Sequence, residues 1–207
     1  MDFLHPIRAV IPGAQGRVLG VLAETTAPLN LSTLARLAGI SVAQASRVMP
    51  GLVELGLVER REIPPSSQFR LIRENVAAQA IIDLARSRDA ALTQIGSAAA
   101  DLPVPPVSVI VFGSVARGDS DQHSDLDVII VRPDDVDDDD DAWATSIERW
   151  RSEAQAITGN TVEVLEVTQG EARAKLAGSA QLWRDVARDG IVVHGLTMSD
   201  LRERVHA

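Results

Sequence analysis

Residues 109–131 read VIVFGSVARGDSDQHSDLDVIIV. The apolar runs 107–112 and 126–131 have the length and the Val/Ile content of buried strands. Between them Gly113 and Ser114 make a turn, and a short helix starts at Ser114. Asp125 and Asp127 stand two apart where the second run begins. The period of two along a strand turns both carboxylates to one face and Leu126 to the core. Such a pair suits a hard divalent cation, because Mg²⁺ takes oxygen ligands. Gly113 lets the backbone approach an anion closely, and the free N–H groups at a helix start attract one. The Ser114 hydroxyl adds a donor, and Arg117, one turn on, can reach a phosphate or brace an aspartate. Each piece alone is common. Apolar strand, Gly-Ser, ten residues, Asp-x-Asp and apolar strand in that order is specific.

Outward from this stretch, 134–141 is an acidic loop whose like charges keep it solvated. Residues 143–157 read as an amphipathic helix with Trp143, Ile147, Trp150, Ala154 and Ile157 on one face. A third strand is expected at 161–167, a helix at 176–188 and a last strand at 191–193. Toward the N-terminus, Pro103, Pro105 and Pro106 mark a boundary, since they cannot continue a helix. Before it, 74–101 reads as one long helix with Val76, Ile81, Leu84, Ala85, Leu92 and Ile95 on an apolar side, able to link modules or to pair two copies of the chain.

The first seventy-odd residues form another pattern. Val18, Leu19, Val21 and Leu22 make an apolar face, and 31–37 is a second helix with Asn30 or Ser32 as its cap and Gly39 as its stop. Ser41 caps a third helix carrying Val42, Ala45, Val48, Leu52 and Leu55. Pro50 lies inside it and is expected to kink or shorten it. The runs 57–62 and 68–72 flank the turn IPPSS as a hairpin.

Of the 207 residues 45% are apolar but only 3% aromatic, so the core is aliphatic. With no cysteine, disulfides and Cys-ligated zinc are excluded. His5, His123, His194 and His206 show no metal-ligand spacing. There is no basic-then-apolar leader and no apolar run near the roughly 20 residues of a membrane helix, so a cytoplasmic protein without a membrane partner is expected. The net charge of −9 is unevenly spread. Residues 1–75 carry eight Arg against six Asp and Glu (+2), and the rest carry twelve basic against twenty-three acidic residues (−11). That asymmetry implies two modules with different partners.

The segment LSTLARLAGISVAQASRVMPGLVELGLVERRE resembles winged helix-turn-helix domains of bacterial regulators. The resemblance implies a DNA-binding module over 15–73. Its third helix would present Ser41, Gln44, Ser46 and Arg47 to the major groove, with Arg60, Arg61 and Arg70 near the wing. The G-S-x(10)-D-x-D stretch, with Ala116, Arg117, Gly118 and Ser124 also matching, resembles minimal nucleotidyltransferases of the DNA polymerase β-like superfamily. The expected fold is thus mixed α+β: a winged helix-turn-helix domain at 15–73, a linker helix at 74–102 and a small α/β nucleotidyltransferase domain with a mixed sheet at 103–196. The resemblance implies a nucleotide site at Gly113, Ser114, Arg117 and Ser124. Asp125, Asp127 and a third carboxylate would hold two Mg²⁺ ions, and AMP would pass from ATP to a hydroxyl acceptor. Glu163 is the first candidate for that carboxylate and Glu166 the second; in a strand they face opposite ways. Minimal members often act as antitoxins that modify a partner toxin, which makes a separate protein an expected acceptor. The other reading is a DNA-binding regulator whose second domain senses nucleotide or binds a partner without catalysis. A homodimer suits either.

Overall fold

The computed structural model describes residues 1–203, so His206 lies outside the described residues. The chain divides into two compact units, one of residues His5–Ser87 and one of Met1–Leu4 with everything from Arg88 onward. Among the described residues no helix is long and apolar enough to cross a membrane.

The first unit contains α1 (Pro6–Val10), α2 (Gly13–Glu24), β1 (Leu29–Asn30), α3 (Leu31–Ala38), α4 (Val42–Glu54), β2 (Val58–Ile63), β3 (Ser66–Leu71) and α5 (Val76–Ala85). Asn30 caps α3 by accepting from the Thr33 amide at 2.8 Å, and Gly39 ends it in the left-handed conformation. A reciprocal capping box between Ser41 and Gln44 starts α4. The helix runs on through Pro50 to Glu54, so the proline does not shorten it. Met49, buried with Ala45 and Leu52, anchors the helix on both sides of the missing amide. Val42 and Leu55, counted with the apolar face from spacing, are exposed. The hairpin pairs Val58 with Leu71 through to Ile63 with Ser66, and β1 adds to its other edge as a short third strand.

The second unit contains α6 (Ser87–Ala100, its first residue belonging to the first unit), β4 (Ser108–Phe112), α7 (Gly113–Arg117), β5 (Leu126–Arg132), α8 (Asp141–Thr158), β6 (Val162–Thr168), α9 (Gln169–Ala177), α10 (Gln181–Asp189), β7 (Ile191–Gly195) and α11 (Met198–Arg202). The sheet order is β6-β5-β4-β7. β5 and β6 are parallel, as the crossover through α8 requires, and the other pairs are antiparallel. Alternation along the central strands divides the core. Val109, Val111, Val128 and Ile130 pack with α6 and α8, and Ile110, Ile129 and Val131 with α9, α10 and α11. Trp143, Trp150 and Trp183 are all buried in these layers.

Two expected helices are each divided. The segment 74–101 is α5 and α6 with a break at Arg86, because Ile81 and Ile82 bury in the first unit's core and Leu92 and Ile95 in the second's. The expected 74–102 linker helix is therefore not a single rod. Likewise 176–188 holds the end of α9 and all but the last residue of α10, separated at Gly178, Ser179 and Ala180, the first two of which favour turns.

Candidate active site

The site lies where β4 ends, α7 begins and β5 starts. Gly113 has φ +71°, a conformation other residues adopt at a cost. A Cβ built on it would meet Asp127 Oδ2 at 2.2 Å, so the glycine makes room for the carboxylate as well as for the turn. Ser114 follows, half-buried, and among the described residues its hydroxyl has no hydrogen-bond partner.

Sheet register decides which third carboxylate joins the pair. Asp127 stands directly opposite Glu163 in the parallel β5–β6 ladder, on the face that Ile129 and Val167 continue toward α9 and α10. Glu166 is on the other face, where its carboxylate accepts from Trp143 Nε1 at 2.8 Å. Asp125, just before β5, and Glu163 are exposed, while Asp127 is half-buried. Burial, and then the charges of Asp125 and Glu163, push the Asp127 carboxyl above its ordinary range, and the Arg117 guanidinium opposes them. Arg117 is exposed and pairs with Asp119 at 3.2 Å.

This donor set fits a hard divalent cation in chemistry: all the donors are carboxylate oxygens, and their mutual repulsion, felt at Asp127, is what such a cation relieves. Among the described residues no group of three or more His, Cys, Asp and Glu is already spaced to hold a metal ion. The fit therefore rests on donor type and electrostatics.

The ten residues between the Gly-Ser and Asp-x-Asp pairs are tied internally. The Ser124 hydroxyl, expected at the nucleotide, donates to Asp121 Oδ1 at 3.0 Å and accepts from the Asp121 amide at 3.0 Å, closing the loop. Hydrogen bonds from the His123 amide and the Ser124 hydroxyl hold the Asp121 carboxyl below its usual range. Sequence reasoning missed Asn160. It is buried, and its Nδ2 donates to the Ser124 carbonyl at 2.7 Å and, at 3.4 Å, to the Asp121 carbonyl. No local pattern signals it, because its partners lie far along the chain: the Asp121 and Ser124 carbonyls some forty residues away and Met1, whose amine donates to Asn160 Oδ1.

In the first unit the expected DNA-facing side chains divide into free and committed groups. Ser46 and Arg47 are exposed on α4. Ser41 and Gln44 are joined in the capping box. In the wing Arg60 pairs with Glu62 at 2.7 Å and donates to the Ser67 hydroxyl, and Arg70 pairs with Glu59 across the strands. Arg61 is exposed and has no ion pair among the described residues.

Comparison with known proteins agrees with this division. Residues 16–62 match the IclR helix-turn-helix domain family, and residues 94–179 match the nucleotidyltransferase domain family, whose match begins inside α6. No curated protein matches the chain significantly. Similar solved structures include one described as a toxin-antitoxin with AMP-PNP, at 16% identity and TM-score 0.37 over 54% of this chain and 80% of that one. A mutant of the toxin-antitoxin MntA-HpeT has 13% identity and TM-score 0.36 over 54% and 80%. RV1404 from Mycobacterium tuberculosis has 22% identity and TM-score 0.32 over 44% and 67%.

Proposed function

We propose that this chain, a helix-turn-helix module followed by a nucleotidyltransferase domain, transfers a nucleoside monophosphate, AMP from ATP, to a hydroxyl of a partner protein. The observation that carries the reading is the pairing of Asp127 with Glu163 beside Gly113, with Asp125 close enough to raise the Asp127 carboxyl. Gly113 and Ser114 receive the triphosphate through backbone N–H groups and the free hydroxyl, and Arg117 adds positive charge. Asp125, Asp127 and Glu163 would hold Mg²⁺. When bound, the metal would offset triphosphate charge and favour in-line attack at the α-phosphate, with the α–β bridge breaking and pyrophosphate leaving. Glu163, exposed to an incoming acceptor, takes the proton of the attacking hydroxyl. A protein acceptor is the class implied by the likeness to minimal nucleotidyltransferases, and a cytosolic setting supplies both ATP and DNA.

A second reading, a DNA-binding regulator whose second domain binds nucleotide without transferring it, draws support from the carboxylates not being spaced to grip a metal. Incubation of the pure chain with labelled nucleotides, Mg²⁺ and cell lysate separates the two. Label transfer that disappears in Asp127→Ala supports catalysis. No transfer by the unaltered chain, or equal transfer by the variant, overturns it in favour of the regulator.

A further inference from the structure

We propose that Arg88, outside every motif of the site, is a positioning residue for the nucleotide phosphates; this rests on the nucleotidyltransferase reading. Arg88 is the second residue of α6. Its Nε donates to the Val115 carbonyl at 2.7 Å and its Nη2 to the Ala116 carbonyl. Those carbonyls belong to the last turn of α7, where helix backbone acceptors run out of intrahelical partners. The Gly118 amide goes to the Ser114 and Val115 carbonyls and the Asp119 amide to Ser114, so Arg88 takes the Ala116 oxygen that the backbone leaves. Little else occupies the guanidinium among the described residues: the Asp89 carboxylate is at 3.5 Å and itself mostly exposed.

α7 has five residues, too few to hold itself as a helix. Its place comes from the burial of Val115 and Ala116 and from this clasp. At its other end Gly113 lies against the Asp127 carboxylate with no room to spare. A displacement of α7 therefore alters the distance between the Gly-Ser turn and the carboxylates, and small misplacements of this kind weaken binding steeply. The planar fork of arginine spans two adjacent carbonyls, which the single ammonium of lysine does not reproduce.

The test is calorimetric titration of the full chain with ATP and, separately, adenosine, both with Mg²⁺. Arg88→Ala and Arg88→Lys are each expected to weaken ATP binding at least tenfold while adenosine binding changes less than twofold, since only the phosphates rest on α7. Should Arg88→Ala fail to fold, Arg88→Lys, which keeps charge and aliphatic stem, carries the measurement. ATP binding within twofold of the unaltered chain in both variants overturns the proposal. So does an equal loss for ATP and adenosine, which marks a general structural role. An unaltered chain that binds no nucleoside triphosphate removes the parent reading itself, a result visible before any variant is compared.

Discussion

Asp127 carries opposite demands. Its carboxyl titrates above its ordinary range because burial and the charges of Asp125 and Glu163 disfavour ionisation. A carboxyl raised in the folded state weighs against folding once ionised: stability falls as pH rises from the unfolded value of 3.8 through the folded one, and the cost is fully present at neutral pH. Asp127→Asn is therefore expected to raise the thermal midpoint at pH 7 in the absence of divalent cations and to flatten the decline between acid and neutral pH. The same variant should lose the midpoint increase that Mg²⁺ with ATP gives the unaltered chain, and transfer should drop by more than about 100-fold, beyond the usual effect of altering a residue that only orients a metal ligand. Thermal scans with and without Mg²⁺ check both; a variant less stable than its parent would show that Asp127 serves the fold. Gly113→Ala tests the neighbouring contact. The positive φ costs roughly 1–2 kcal/mol, and the new methyl must displace the Asp127 carboxylate, 2.2 Å away. A lowered midpoint with lost ATP binding is expected, and unchanged ATP binding would refute the turn as the phosphate seat. The motif residues were legible because turn chemistry and strand period are local. Sequence context ranks Glu163 ahead of Glu166, but only the β5–β6 register says which faces Asp127.

At the level of elements, the wing shows how pairing alters a reading of charge. Arg60 and Arg70 count as basic in sequence, yet each is partnered by a glutamate two residues along its strand or across the ladder. Exposed pairs of this kind contribute about 0–1 kcal/mol, so replacing Glu59 and Glu62 with Gln should leave stability nearly unchanged. If the wing meets phosphate, the double variant binds DNA several-fold more tightly, with a log–log salt slope steeper by up to about two ions. Fluorescence anisotropy at a series of salt concentrations reads this, and an unchanged slope means the wing does not touch the backbone. Helix α4 makes a related point. Pro50 removes one hydrogen bond, but burial of Ala45, Met49 and Leu52 keeps the helix whole, so tertiary packing overrides a local penalty. The segment 74–101 looks uniformly helical in sequence, and what divides it is the choice of core made by each half.

For the whole molecule, the uneven charge has a structural counterpart in two units with separate apolar cores. The acidic part of the chain contains the candidate metal site, and the slightly basic part is the helix-turn-helix module. Scanning calorimetry of the full chain is expected to resolve two transitions, of which ATP with Mg²⁺ raises only one. At a ligand concentration 100 times the dissociation constant the linkage contributes about 2.7 kcal/mol, a shift of several degrees for a unit of this size. A single transition that moves as one would mean that the two units unfold as a cooperative whole.

The stretch from Val109 to Val131 settles by itself the strand, turn and strand, the glycine at the turn and the Asp125–Asp127 pair. Each of these depends on residues a few positions apart, where backbone geometry leaves few options. The tertiary structure alone decides what arrives from far along the chain. Glu163 comes by parallel register, Asn160 by hydrogen bonds to the Asp121 and Ser124 carbonyls, and Arg88 by its grip on the end of α7. Backbone carbonyls carry no side-chain signature, and register is a property of two strands together, so neither can be read from one segment of sequence.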